Sequence, residues 1–347
     1  TSPNPAICYT APRPRTTHPL PLPDSTPTPR NTSVRAVVFD SRMHFTPDAP
    51  LRDPRGNEIL VDVLQAGICE TDLQLCHGYM GFHGILGHEF VGIARTGKFA
   101  GQRVVGEINC PCHNCDTCHR GLTSHCPHRT VVGILNHDGA FADTVLIPET
   151  NLHAVPDHIS TETAVFVEPL AAACRIPQQI PMNGQHVTVL GDGRLGNLCA
   201  QVLQHHGCHV QVVGKHQPKL NLLRDLGIPG ILLSDLSPAR SSDLVVDCTG
   251  SPTGLTTALQ LVRPCGTIIL KTTVAATQTL HMAPFVIDEI TLLGSRCGPF
   301  ADALQLLSTG AIAVAPLLSA SYPLEDAEIA FTHAARKDTL KVLLNIR

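Results

Sequence analysis

No stretch of the chain stays apolar for the ~18 residues that a membrane-spanning helix needs, which excludes a helical span. Basic residues are not in surplus either. The net charge is -4 with histidine neutral, so long-range attraction to nucleic acid or anionic lipid is excluded as the basis of function. No internal repeat is present. The first 30 or so residues lack both apolar periodicity and a continuous apolar core, so they do not read as a secretory signal. Charged residues make up only 16% and hydrophobic ones 43%, which points to a packed globular protein. At 347 residues there is room for two domains.

Cysteine is the residue out of proportion, with 14 copies, five of them between Cys110 and Cys126. A secreted disulfide scaffold would be much shorter, so the cluster reads as a thiolate metal site. Such thiolates require a reducing compartment, and the cytoplasm is the expected location. Residues 1–33 are rich in proline and threonine and are expected to form a disordered or polyproline-like tail. Arg13, Arg15 and Arg30 leave an organelle-targeting segment open, and the proline spacing leaves an SH3-type ligand open.

Beyond the tail, residues 34 to about 156 read as short strands and turns: VRAVVFD, EILVDVLQAGI, HEFVGIA, RVVGEI and AFADTVLIP. TETAVFVEPLAAAC reads as a helix, with Thr161 as its N-cap. From His186 onward strands and helices alternate, which predicts a parallel sheet covered on both faces. The last 50 residues return to mixed elements, with helices near Phe300–Thr309 and Leu324–Arg336.

Three groups of residues carry chemistry. VTVLGDGRLG places Gly191, Gly193 and Gly196 in G-x-G-x-x-G spacing, with Leu195 in the same turn, between an apolar strand and a helix. That context suits a dinucleotide pyrophosphate at the helix N-terminus. The second strand ends in Gly214, where an NAD site has an acidic residue, and Lys215 and His216 follow. Gly makes room and Lys supplies charge, which favours NADP over NAD, unless Lys215 is an ordinary surface lysine.

The second group is Cys112, Cys115, Cys118 and Cys126, with two, two and seven residues between them. Four thiolates at these spacings fit a closed, structural zinc site, and Cys110 is a spare. A nucleic-acid zinc ribbon would need basic surroundings, which are missing. The third group is scattered: Cys69, Thr71 and Asp72 in GICETD, His88 and Glu89 in GILGHEF, and Glu168 in FVEPL. Singly they could be core or helix-end residues. Together they supply the Cys, His and carboxylate donors of a catalytic zinc with an open position.

From about Val34 to Val342 the chain resembles the zinc-containing medium-chain dehydrogenase/reductase family of alcohol, polyol and threonine dehydrogenases. GICETD, GILGHEF, the four-cysteine lobe, the GDGRLG turn, LVVDCTGSP, VRPCGTIIL and the ending YPLEDAEIAFTHAARKDTLKVLL occur in the family's order. The resemblance implies an α/β protein with two domains. Residues 34–160 and 295–347 would form a GroES-like, mainly β catalytic domain with a structural zinc lobe at about 110–126. Residues 161–294 would form a Rossmann domain, a doubly wound parallel sheet. It implies two zinc ions per chain and an NAD(P)-dependent alcohol dehydrogenase that moves hydride between an alcohol and the nicotinamide. Cys69, His88, Glu89 and Glu168 would surround the catalytic zinc, with Glu168 marking the polyol and threonine branch. Asp72 would orient the histidine, and Thr71 would take the alcohol proton. Many relatives have histidine where Gln74 stands, so the proton would need another outlet, by Glu89 and water. A small alcohol or carbonyl substrate and a homodimer or homotetramer are expected. Tyr79, Phe82 and His83 would line the pocket or pack the core. A zinc-free quinone or enone reductase of the same fold, and a non-enzymatic zinc or nucleotide-binding protein, are the alternatives.

Overall fold

The computed structural model describes residues 33–182, 184–273 and 280–347. Apart from Ser33, the expected tail lies outside the described residues. Among those residues no helix is long and apolar enough to cross a membrane.

The alternating half of the chain folds as a six-stranded parallel sheet. In space its strands run Gly230–Leu232, His209–Gly214, His186–Leu190, Ser242–Asp247, Val262–Leu270 and Thr291–Gly294. The strand met first in sequence therefore lies third, and the order reverses beside it. Helices leave in opposite directions at that point and open a crevice at the carboxyl ends of the strands. Val187, Val189, Leu244, Val246 and Ile269 are buried among residues of the covering helices, which is why these strands read as unbroken apolar runs. The helix Arg194–His205 starts directly after the first strand. It approaches so closely that a Cβ at Gly196 would lie 2.0 Å from the carbonyl oxygen of Gly191, itself at φ +110°. Only glycine fits both places.

The strand-rich half contributes a second sheet. Glu58–Ile68 is its longest strand, pairing antiparallel with Glu89–Ala94 on one side and with Lys341–Asn345 on the other. The chain thus returns at its end to the sheet it built early, and sets Val342 opposite Ile68 and Leu343 opposite Gly67. Val61, Val63, Phe90, Phe141, Val342 and Leu344 share one buried cluster there. A strand at Met43–Pro50, which the pattern did not predict, pairs with Ser33–Phe39.

The expected single helix at Thr161 is two. Ser160, not Thr161, is the N-cap, its hydroxyl accepting the amide of Thr163 at 3.1 Å. The first helix spans Thr161–Ala164 and the second Val167–Gln179. Pro169 has no amide to bond back one turn, so it is tolerated in the first turn of a helix that starts anew.

Candidate active site

Cys69 follows the strand Glu58–Ile68 and caps the helix Glu70–Cys76. Asp72, in the first turn of that helix, is fully buried. Its Oδ2 accepts the Cys69 amide at 2.8 Å, and its Oδ1 lies 3.1 Å from Nδ1 of His88. One carboxylate thereby fixes both the loop carrying the thiol and the plane of the imidazole, and turns the other ring nitrogen toward the Cys69 thiol, where it can act as a ligand. Cys69, His88 and Glu89 each place a donor atom within 4.8 Å of the others. Burial raises the Cys69 thiol, but the hydrogen bond and charge of His88, with Arg194, outweigh it and bring the pKa down to about 6. Burial disfavours the charged form of His88, yet Asp72 holds it well above its ordinary value. This is the electrostatics of a thiolate site.

Glu89 is also fully buried. Its Oε2 accepts from Nζ of Lys341, and Oε1 has no hydrogen-bond partner among the described residues. Lys341 has no solvent exposure; it also lies 3.4 Å from the carbonyl of Ile68 and faces the Phe166 ring at 5.8 Å. Desolvation pulls its pKa down to about 8. A Cβ at Gly67 would sit 2.9 Å from Glu89 Oε2 and 3.0 Å from Lys341 Nζ, so this crossing leaves no room for a side chain there. The orphaned Oε1 within a set of sulfur, nitrogen and carboxylate donors fits a bound zinc ion.

Glu168 lies in the first turn of Val167–Gln179 and is not within that 4.8 Å group. It shares the same field: burial lifts its carboxyl to about 7, with His88 opposing and Cys69 reinforcing the rise. Thr71 Oγ1 is 3.9 Å from Cys69 Sγ. Gln74 turns away, its amide bonded to Glu70 at 2.8 Å on the exposed side of the helix. Phe82 is buried and packs the core, and Tyr79 leans on the same cluster. His83 stacks on Phe39 at a centroid distance of 6.2 Å. Cys174 is buried in the other core, where desolvation pushes it up to about 12, and it is no metal ligand.

At the glycine turn, Gly193 is the residue before the helix Arg194–His205, and nothing lies within 4 Å of a Cβ built on it. The backbone there is open to a phosphate. Leu195 packs against the apolar core. Arg194 crosses the cleft instead of facing solvent, donating to the carbonyls of Ile68 at 3.2 Å and Leu340 at 2.8 Å. Lys215 is exposed and His216 partly buried. Gly214 is buried, but the room beside it is not empty: a Cβ there would meet Asp192 at 2.5 Å.

Cys112, Cys115, Cys118 and Cys126 also form a set within 4.8 Å. Sγ of Cys126 is 3.5 Å from that of Cys112 and 3.8 Å from that of Cys115. Tetrahedral zinc with bonds of about 2.3 Å would hold sulfurs about 3.8 Å apart, so the lobe needs little adjustment to take the ion. Cys110 is outside the set, buried, with its thiol near the Asn151 amide at 3.7 Å. Arg296 ties the lobe down by bonds to Asn109 Oδ1 and the Ser124 carbonyl at 2.8 and 3.0 Å.

Sequence reading missed Lys341, Arg194, Asp192 and Lys271, whose Nζ donates to the carbonyl of Ala172 and whose charge acts on Glu168. Only Lys341 left a trace, as a lysine opening an apolar strand.

Residues 55–157 match the family of alcohol dehydrogenase GroES-like domains, and residues 195–309 the family of zinc-binding dehydrogenases. The chain is 27% identical to a 2-dehydro-3-deoxy-L-galactonate 5-dehydrogenase from Pseudoalteromonas atlantica, over 81% of this chain and 89% of that one. It is 27% identical to a D-xylulose reductase A from Aspergillus oryzae, over 90% and 94%. Its structure is similar to that of an alcohol dehydrogenase from Thermus sp. ATN1, with a TM-score of 0.82, 29% identity and coverage of 90% and 100%.

Metal analysis of purified variants separates the two donor sets. Cys112→Ser should lower the zinc content by one ion per chain, while Cys110→Ser should keep the wild-type content. A loss in Cys110→Ser alone would put the lobe in a different register. A second expectation concerns Lys341. Lys341→Met strands a buried carboxylate and should destabilise the metal-free protein by about 3–5 kcal/mol in urea unfolding. Adding Glu89→Gln should restore most of that. Full additivity of the two substitutions would show that the ion pair is not coupled.

Proposed function

Because the chain belongs to the zinc-containing medium-chain dehydrogenase/reductase family, we propose that it interconverts a secondary alcohol of a polyol or sugar-like substrate and the matching ketone. The observation that carries this reading is the convergence of Cys69, His88 and Glu89, with Glu168, the residue that by resemblance marks the polyol and threonine branch, in their field. The names of the galactonate and xylulose relatives agree with it.

Cys69, His88, Glu89 and Glu168 would hold the catalytic zinc, and Cys112, Cys115, Cys118 and Cys126 the structural one. Zinc supplies a Lewis acid that lowers the pKa of a substrate hydroxyl, and the nicotinamide ring exchanges the hydride. Asp72 keeps His88 oriented and Cys69 in place. Thr71 presents its hydroxyl beside Cys69 and takes the alcohol proton. Gln74 does not titrate and faces Glu70, so the proton does not leave through it. Gly191, Gly193, Leu195 and Gly196 shape the turn for the pyrophosphate. Gly214 and Lys215 favour NADP, whereas the carboxylate of Asp192 beside them favours NAD. Thiolate sites of this kind suit a reducing compartment such as the cytoplasm.

A second copy of the chain is the partner proposed for the outer edge of the nucleotide-binding sheet. Among the described residues Thr291–Gly294 is the terminal strand there. Next to it in sequence, Val286 and Ile287 are 77% and 78% exposed, and Met282 and Leu292 are exposed too. An open strand edge near apolar surface is a pairing site.

Turnover of a panel of polyols, sugar acids, amino alcohols and simple alcohols, followed by nicotinamide absorbance, tests the substrate class. Polyols or sugar acids should give the highest kcat/KM, and Cys69→Ser should lower it by at least about 100-fold with an unchanged circular dichroism spectrum. Highest efficiency on simple primary alcohols would overturn the assignment. For self-association, light scattering should report a dimer or tetramer that Ile287→Asp weakens; a monomeric wild type would refute it.

A further inference from the structure

Dinucleotide sites of this fold distinguish their cofactors where the second strand ends. A carboxylate there accepts the 2′-hydroxyl of NAD, and its replacement by a small residue near a cation admits the 2′-phosphate of NADP. Here that position is Gly214, and the sequence alone favours the phosphate. The geometry does not.

Asp192 comes from the end of the neighbouring strand, one residue past Gly191 in the glycine turn. Its side chain is 8% exposed. The carboxylate fills the space above Gly214, where an added Cβ would lie 2.5 Å from both Asp192 Cβ and Oδ2. Oδ2 accepts the consecutive amides of Lys215 at 2.8 Å and His216 at 2.6 Å. Nδ1 of His216 is 3.1 Å from each carboxylate oxygen. Two successive amides facing one point form an anion-binding concavity of the sort that takes a phosphate oxygen. In this chain an internal anion already occupies it. Among the described residues Oδ1 has only the His216 ring as partner, so it keeps a lone pair for a ribose hydroxyl. Lys215 is exposed, and a solvated surface lysine offsets little of a buried neighbouring charge.

We propose that Asp192 supplies, from the glycine turn, the ribose-reading carboxylate that the second strand lacks, and so selects NAD against NADP. It does so by occupying the two amides and by placing negative charge where the 2′-phosphate would lie. The inference rests on the cleft being the dinucleotide site. It also explains why Gly214 is glycine: a side chain there would displace Asp192. Asp192 is a specificity residue and takes no part in hydride transfer.

Binding of ADP-ribose and 2′-phospho-ADP-ribose by calorimetry tests this without turnover, since neither carries nicotinamide. The wild-type holoenzyme should bind ADP-ribose at least tenfold more tightly. Asp192→Asn is nearly isosteric and uncharged; Asp192→Ser keeps a small acceptor for the amides. Both should tighten 2′-phospho-ADP-ribose by about 10- to 100-fold, the range of one charge-assisted contact, and reverse the order of the ligands. The gain should shrink as salt rises. A wild type that prefers 2′-phospho-ADP-ribose, or variants that bind ADP-ribose with the wild-type ratio unchanged, would overturn the role of Asp192 while leaving the dinucleotide site standing. A wild type that binds neither ligand would overturn both. The wild-type ratio decides even if one variant misfolds.

Discussion

The carboxylate of Asp72 joins two parts of the chain that are 16 residues apart. One oxygen holds the amide of Cys69, and the other faces the ring of His88. Without it, a thiol at a helix start and an imidazole at a strand start would have independent orientations. A metal site tolerates little of that freedom, because its donors must meet at one point. Asp72 itself needs burial to act in this way, and burial of a charge is costly unless both oxygens are used. Both are. The capping of a seven-residue helix and the alignment of a candidate ligand are therefore one event.

The same logic governs the buried pair of Lys341 and Glu89. A lysine and a glutamate with no exposure are costly to desolvate, and an apolar pair of the same volume would often be no less stable. Their presence is better understood through the strand they fix. Lys341 opens the C-terminal strand, Glu89 opens the strand on the opposite flank, and Gly67 lies between them on the central one. The pair pins the register of three strands at the edge of the cleft. It also commits one oxygen of Glu89 and leaves the other free.

Motifs whose chemistry is local were legible in the sequence. The glycine turn, the four-cysteine lobe and the strand–helix alternation each follow from spacing, and the parallel sheet has the strand order that the glycine turn implies. The helix cap was misjudged by one residue because Ser160 and Thr161 are both good caps, and only the bond to Thr163 distinguishes them. The helix break was present in the sequence as Pro169 and could have been read. Arg194, Lys271 and Asp192 were invisible for another reason, and Lys341 showed only as a lysine opening an apolar strand. Each acts on a residue 23 or more positions away, and its own neighbourhood does not say which. Gly214 shows the risk of reading a position alone: its meaning depends on what another segment puts into the space it leaves.

Arg194 joins the two halves of the molecule. It opens the helix that follows the glycine turn, yet its guanidinium is bonded to the carbonyls just ahead of Cys69 and Lys341. A rigid-body rotation that widens the crevice must stretch both bonds together. Each is a charge-assisted contact of about 1.5–3 kcal/mol. A phosphate arriving at the turn would compete for the same cation. The side chain thus carries the positions of Cys69 and Lys341 over to the glycine turn, so that none of the three segments can shift without breaking a bond that the other two share.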